Sequence, residues 1–464
     1  MSSTQNLQRS LAGGSDTIVA LGTPPGRSAI AVVRVSGENA ISIAGQHVDP
    51  WPVPPREARL CTVHDGEGRI LDQAIITIYT APHSFTGEDV VEISTHGGHV
   101  VPASVVAALI SAGAREAYPG EFTRRAVLNG KLDIVQAEAI GDLIDARSTA
   151  MQQVALGQLE GGLSSRITAV RENILSLESL LAYDIDFPEE DDGPISTSRI
   201  LHAADHLLQS LDLLLSTIPV GQIVREGAIT VIAGEPNAGK SSLFNALLGQ
   251  SRAIVTEIPG TTRDAIEGLI DAGNWPIRLI DTAGLRESGD LVERLGIETS
   301  ERYVTRAHLL LACGETEKSL GKTRTILSRL SSVPVVAVLT KSDLSSPFKT
   351  QLPEVEVANH IRVSVMTGEG LELLQSEIDA TLTGAYGELK PELPVLIRAR
   401  HVQGIKAARA EVAEFRSVWV TEALPAPVTA VHLRAAAMAL ESLIGAVSTE
   451  DVLERVFSTF CVGK

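Results

Sequence analysis

Apolar residues along the chain change their spacing several times, and the changes divide it into sections. From Asp16 to about Gly130 the pattern is mixed. "AIAVVRV" (Ala29–Val35) and "AIITIYT" (Ala74–Thr80) are runs that predict strands, while "VVPASVVAALISAG" (Val100–Gly113) predicts a helix, so the section reads as an α+β domain. From Lys131 to about Val220, apolar residues recur at three and four positions. "AEAIGDLIDARSTAMQQVALGQLEGGLSSRITAVRENILSLESLLAYDID" (Ala137–Asp186) predicts long amphipathic helices. The acidic "DFPEEDDGP" (Asp186–Pro194) predicts a solvated loop before a further helix. About 160 residues of alternating strand and helix patterns follow, and after Leu382 helical spacing returns in "RARHVQGIKAARAEVAEFRSVW" and "PVTAVHLRAAAMALESLIGAVSTEDVLERVFSTF". Helical sections on both sides of an α/β unit predict that the unit is inserted into one helical domain. The expected limits are residues 1–130, 131–222, 223–383 and 384–464.

The α/β section opens on "AITVIAG" (Ala228–Gly234), an apolar run that predicts a strand, and continues through "GEPNAGKSSL" (Gly234–Leu243) into "SSLFNALLG" (Ser241–Gly249), which has helical spacing. Gly234, Gly239, Lys240 and Ser241 fit the pattern G-x-x-x-x-G-K-[ST] between a strand and a helix. That context makes it a phosphate loop. Its glycines let backbone N–H groups turn onto phosphate oxygens. Lys240 is placed to reach the terminal phosphates, and the Ser241 hydroxyl to ligate magnesium.

Composition narrows the partners. The 464 residues carry 39 basic and 57 acidic side chains, a net charge of −18, so a nucleic-acid role needs a local patch or a basic partner. Aromatic residues at 3% argue against an extended base-stacking platform. The three cysteines (Cys61, Cys313, Cys461) are far apart and lack metal-ligand spacing, which suits a reducing compartment. "MSSTQNLQRS" lacks the layout of a signal peptide, and no apolar run approaches the ~20 residues that span a bilayer. A cytoplasmic protein without membrane association is expected.

A phosphate loop alone leaves ATP and GTP both open. Four further stations favour GTP. "TEIPGTTRD" (Thr256–Asp264) offers Thr262 to the magnesium, and "IRLIDTAG" (Ile277–Gly284) is a strand ending in Asp281, with Gly284 positioned to donate to the γ-phosphate. "VPVVAVLTKSD" (Val333–Asp343) ends in Lys341 and Asp343, and a carboxylate there accepts from the N1–H and 2-amino group that adenine does not offer together. "RVSVMTGEG" (Arg362–Gly370) supplies a backbone N–H from Ser364 to Met366 toward the base oxygen. Together with the phosphate loop, this order predicts a GTPase. Leu285 occupies the position after "DTAG" where Ras-like switches carry a water-orienting Gln, so another group must position the water.

The pieces "GEPNAGKSS", "PGTTRD" and "DTAGLR", with the flanking "TPPGRSAIAVVRVSG", "SFTGEDVVEISTHGG", "YPGEFTRRAVLNGKLDIVQAEAIGDLIDA" and terminal "FCVGK", resemble the MnmE (TrmE) family of tRNA modification GTPases. The resemblance covers essentially the whole chain. It departs at Thr340, where the N-K-x-D motif has Asn, and at Ser364-Val365-Met366, where S-A-[KL] is usual.

The resemblance implies a multi-domain protein: an α+β N-terminal domain for folate binding and dimerisation, a helical bundle, and an inserted Ras-like α/β P-loop GTPase domain. It implies GTP contacts from Asn237, Ala238, Gly239, Lys240, Ser241, Ser242, Thr256, Glu257, Ile258, Pro259, Gly260, Thr261, Thr262, Asp281, Thr282, Ala283, Gly284, Thr340, Lys341, Ser342, Asp343, Ser364, Val365 and Met366. Magnesium falls to Ser241 and Thr262. Potassium, in place of an arginine finger, falls to Asn237, Thr256, Ile258 and Thr261. Glu293 would orient the water, with Lys240 as the other catalytic group. A reduced folate one-carbon donor is assigned to Arg34, Glu92, Lys131 and Lys464, with Cys461 as a candidate nucleophile. The implied reaction installs an aminomethyl-type (carboxymethylaminomethyl) group at C5 of the wobble uridine of certain tRNAs. It is carried out by a homodimer joined in a heterotetramer to an FAD-dependent, MnmG (GidA)-type partner. Two other readings stay open: a regulatory GTPase switch binding a ribosome or other effector without modification chemistry, and a helical scaffold with a vestigial nucleotide site.

Overall fold

The computed structural model describes residues 16–186, 197–250, 266–281, 303–344, 360–388, 394–421 and 425–445, together with 453, 456, 457 and 460–463. Two compact units emerge: residues 1–141 with 440–464, and residues 142–439.

The first unit is built on seven strands: β1 (Ile18–Leu21), β2 (Gly26–Ser36), β3 (Val48–Asp49), β4 (Arg59–His64), β5 (Ile70–Tyr79), β6 (Val90–Gly98) and β7 (Arg115–Glu116). Their order across the sheet is β3-β4-β5-β6-β2-β1-β7, antiparallel except for the β1–β7 pair. Alternation sets the faces. In β5, Ala74, Ile76 and Ile78 point into the core while Ile75 is exposed, as period-2 spacing requires. Helices α1 (Ala40–Gly45) and α2 (Val101–Ser111) cover the inner face with Ala40, Ile43, Val105 and Leu109.

Helices α3 (Glu121–Leu128) and α4 (Ile134–Ile144) follow. Ile134 and Ala137 of α4 pack with Leu453, Val456 and Phe457, so the end of the chain joins this unit. Gly120 takes φ 68°, where a Cβ would lie 2.8 Å from the Phe457 carbonyl, and its N–H donates to the Cys461 carbonyl. Only glycine permits that approach.

The second unit combines helices with a second sheet. Helices α5 (Thr149–Leu159), α6 (Gly162–Asp186), α7 (Thr197–Leu215) and α8 (Ile218–Glu226) precede the sheet. Its strands are β8 (Ala228–Gly234), β9 (Ile266–Ala272), β10 (Trp275–Asp281), β11 (Leu309–Gly314), β12 (Val335–Leu339) and β13 (His360–Arg362), in the order β13-β12-β11-β8-β10-β9. All neighbours are parallel except β9 with β10. Helices α9 (Lys240–Gln250), α10 (Glu317–Leu330) and α11 (Leu371–Tyr386) connect or follow these strands. Every residue of β11 is buried, as expected for a parallel strand covered on both faces.

After the sheet come α12 (Ala399–Thr421) and α13 (Ala426–Ile444). Helix α12 packs on α7 across the inserted sheet's sequence, with Arg409 on Asp212 and Arg416 on Asp205.

One helical segment has a high mean hydropathy although charged residues interrupt it. Thr197–Glu226 is long and apolar enough, by length and composition, to cross a membrane. In the fold it is two helices, α7 and α8, and Ile200, Ala204, Leu207, Leu211 and Leu214 of α7 are buried inside the unit.

Candidate functional site

The order of the second sheet places the ends of β10, β8, β11 and β12 side by side, and ligands of open α/β sheets bind at such strand ends. Gly234 is the last residue of β8, and a Cβ there would sit 2.4 Å from the Cys313 carbonyl of β11, so the close approach requires glycine. The loop turns back through Asn237 (φ 64°) and Gly239 (φ 75°), left-handed conformations that glycine and asparagine tolerate. Helix α9 starts at Lys240, so its N-terminus, an end that favours anions, lies directly after the loop. Lys240 is buried, its Nζ donating to the carbonyls of Gly234 (3.1 Å) and Glu235 (3.0 Å), while Ser241 and Ser242 are exposed. Parallel pairing of β10 with β8 sets Asp281 opposite Ile232, so this buried carboxylate closes the strand next to the loop. Lys240, Ser241 and Asp281 thus occupy neighbouring strand and helix ends.

The base-side stations come together at the end of β12. Thr340 is buried, and its Oγ1 lies 2.8 Å from the Ala238 carbonyl and 3.2 Å from the Gly314 carbonyl. Lys341 adopts φ 56°, and its Nζ donates to the Asn237 carbonyl (2.9 Å) and to Glu315 Oε1. Ser342 N donates to the Val363 carbonyl, which brings the segment after β13 alongside. There Ser364 Oγ donates to Asp343 Oδ1 at 2.7 Å and accepts from Thr367 N at 3.2 Å. The bond fixes the carboxylate of Asp343, which is exposed and available to a base edge. Val365 is half-buried, and Met366 is 86% exposed and fills no cavity.

Glu315 was not among the residues singled out from sequence. The available signal was its position, a carboxylate directly after the glycine that ends a fully buried strand.

Thr256, Glu257, Ile258, Pro259, Gly260, Thr261, Thr262, Thr282, Ala283, Gly284 and Glu293 lie outside the described residues, as does Lys464.

In the first unit, Arg34 of β2 and Glu92 of β6 are directly opposite in register. Arg34 Nε lies 3.2 Å from Glu92 Oε1 but has no well-aligned acceptor, although it is buried. The guanidinium stands over the rings of Phe85 (5.1 Å) and Phe122 (5.2 Å), a cation–π arrangement. Its Nη1 is 3.5 Å from the Gly463 carbonyl, so the terminal segment reaches the same place. Lys131 Nζ donates to the Pro82 carbonyl at 3.1 Å. The Cys461 side chain is exposed. Cys313, by contrast, is a core thiol, pushed up to about 12 by burial and therefore unreactive at neutral pH.

An ion cluster centred on buried Arg125 and Glu121 lies in this unit. Arg125 donates to Asp16 Oδ1 (2.7 Å), Glu121 Oε1 (3.0 Å) and Glu88 Oε1 (3.1 Å), and Arg115 pairs with Asp16 and Glu121. Burial opposes ionisation of Asp16 and Glu121, but the hydrogen bonds and charge of Arg115, with the charge of Arg125, outweigh it. Both carboxyls are held below their ordinary values. The cluster also touches Ser36, the last residue of β2, whose Oγ donates to Glu88 Oε2 at 2.8 Å.

Comparison with known proteins matches both units. The sequence model described as the MnmE helical domain matches residues 134–461, and that of the GTP-binding protein TrmE N-terminus matches residues 17–131. The tRNA modification GTPase MnmE of Aquifex aeolicus (strain VF5) is 38% identical over 97% of this chain and 100% of that protein. Its counterpart in Heliobacterium modesticaldum (strain ATCC 51547 / Ice1) is 40% identical over 97% of this chain and 99% of that protein. That of Akkermansia muciniphila is likewise 40% identical, over 97% and 99%.

Proposed function

The chain belongs to the tRNA modification GTPase MnmE family, and on that premise we propose that it binds GTP at the end of the second sheet, hydrolyses it, and uses the turnover in modifying tRNA. The observation that carries this reading is the convergence at the strand ends of one sheet of the phosphate loop, buried Asp281, and the Thr340–Asp343 segment with Ser364.

Each described group has a task. The N–H groups of Asn237–Ser242 and the Lys240 ammonium hold the phosphates. Lys240 gives up two carbonyl contacts in doing so, and its charge then faces the oxygens that gain charge in the transition state. Asp343, oriented by Ser364, accepts from the guanine N1–H and 2-amino group. The Ser241 hydroxyl and the Asp281 carboxylate are hard oxygen donors that suit magnesium, with Thr262 as the further ligand. When bound, magnesium neutralises charge across the β- and γ-phosphates. Asn237 is the described member of the potassium set, with Thr256, Ile258 and Thr261, and Glu293 orients the attacking water in place of the missing Gln.

In the first unit, the Arg34–Glu92 pair supports a folate site. A carboxylate reads the N–H edge of a pterin, and cations (Arg34, Lys131 and Lys464) take up carboxylates of the tail. The buried Arg34 Nε is ion-paired with Glu92 but lacks an aligned hydrogen-bond acceptor, which such a ligand would supply. Exposed Cys461 sits on the same terminal segment and is the candidate nucleophile. The reaction is addition of a carboxymethylaminomethyl-type group at C5 of the wobble uridine by a cytoplasmic homodimer with an FAD-dependent partner. A basic partner surface would offset this chain's −18 charge toward tRNA.

The test pairs turnover with product. GTP hydrolysis should fall to background in Lys240→Ala with the circular dichroism spectrum retained. TRNA from cells lacking the protein should lose the modified wobble nucleoside. Normal turnover in the variant would refute the nucleotide site, and unchanged nucleoside composition would refute the tRNA role.

A further inference from the structure

We infer that Glu315 is a positioning residue for guanine-nucleotide binding: its carboxylate holds the Lys341 ammonium, and Lys341 ties the base-reading end of β12 to the phosphate loop. The inference rests on the nucleotide reading above.

Glu315 leaves the sheet one residue after β11, and Lys341 two residues after β12. Those strands are paired in parallel with Gly314 opposite Leu339, so the two side chains emerge from adjacent strand ends. The place is held by backbone. Thr340 N donates to the Gly314 carbonyl at 2.9 Å, and a Cβ on Gly314 would lie 2.6 Å from Leu320 N. Lys341 has the left-handed φ of 56°, an uncommon conformation for a residue with a side chain.

An ammonium has three N–H donors, and Lys341 directs two of them to the Asn237 carbonyl (2.9 Å) and to Glu315 Oε1. Two anchors from different elements fix a four-carbon stem that otherwise keeps several rotamers. The cost in freedom is then met before a nucleotide arrives. Both side chains are about two-fifths exposed (39% for Lys341 and 42% for Glu315), so the pair stays open to solvent and moderate in strength.

Simple electrostatics and positioning give opposite signs for removal of this carboxylate. A negative charge beside a polyphosphate site repels the ligand, so by charge alone Glu315→Ala or Glu315→Gln tightens GDP and GTP. If Glu315 positions Lys341, its loss weakens both.

The experiment measures GDP affinity by fluorescence of a labelled analogue, with GTP turnover, on the full chain. Glu315→Ala should raise the GDP Kd by about three- to tenfold and raise KM with kcat unchanged, a range set by a charge-assisted bond discounted for exposure. Glu315→Gln, which keeps an acceptor, should fall between it and the wild type. In a Lys341→Ala background, Glu315→Ala should add nothing, because the group it holds is gone. A purely structural role would lower thermal stability without this dependence on Lys341. Unchanged or tighter GDP binding in Glu315→Ala, or the same weakening with and without Lys341, overturns the inference while the nucleotide reading stands. Failure of the wild type to bind GDP overturns both.

Discussion

The Thr340 hydroxyl lies 2.8 Å from the Ala238 carbonyl of the phosphate loop and 3.2 Å from the Gly314 carbonyl. It has one proton for two acceptors. Gly314 also accepts from Thr340 N, so the Ala238 bond is the one that joins the two loops of the site. An asparagine amide offers two N–H groups at this place. Thr340→Asn is therefore expected to tighten GDP by about three- to tenfold, close to 1 kcal/mol for one added bond. Thr340→Val should weaken it, since a buried carbonyl then loses its donor. Isothermal titration of both variants checks the order.

Potassium dependence tests the assignment of Asn237. If a cation stands in for an arginine finger, whose contribution is typically 10³–10⁵, hydrolysis should be at least about tenfold faster in potassium than in sodium chloride at matched ionic strength. Asn237→Ala should remove most of the difference. Equal rates of the wild type in the two salts would reject the cation site.

Glu92 and Arg34 face each other across β2 and β6, and a folate would have to enter between groups that already pair. Calorimetry with 5-formyltetrahydrofolate should give binding heat for the wild type and none for Glu92→Ala. Equal heats for both proteins would remove Glu92 from the site.

The ion cluster gives the first unit an acid limit. The folded pKa values of Asp16 and Glu121 lie below their ordinary 3.8 and 4.5, so folding is favoured by their ionised forms. That contribution is complete above the ordinary values and is lost as pH falls through the lowered ones. Stability of this unit, followed by hydrogen exchange of β1 and α3, should be flat with respect to these groups above about pH 5.5 and decline below about pH 4.5. Arg125→Met should cost about 3 kcal/mol at pH 7, because it leaves the Glu121 carboxylate buried with one partner fewer, and should flatten the acid decline.

Much of this protein was written locally. The strand at Ala228–Gly234, the loop to Lys240 and the helix after it were legible because each depends on near neighbours: β-branched residues, glycines at a tight turn, and helical apolar spacing. The strands around Arg34 and Ile76 were legible for the same reason, although the first is wider than the quoted run, at Gly26–Ser36, and the second starts four residues earlier and ends one earlier, at Ile70–Tyr79. What composition and spacing could not express is which distant pieces share a surface. Leu453, Val456 and Phe457 pack on Ile134, and Gly463 reaches Arg34, because an apolar helix face and a glycine turn found partners far away in sequence. Glu315 meets Lys341, and Ser364 meets Asp343, through the register of parallel strands whose connections are long. Register is fixed by burial of whole strands on both faces, a property of the assembled sheet that no local run of residues carries.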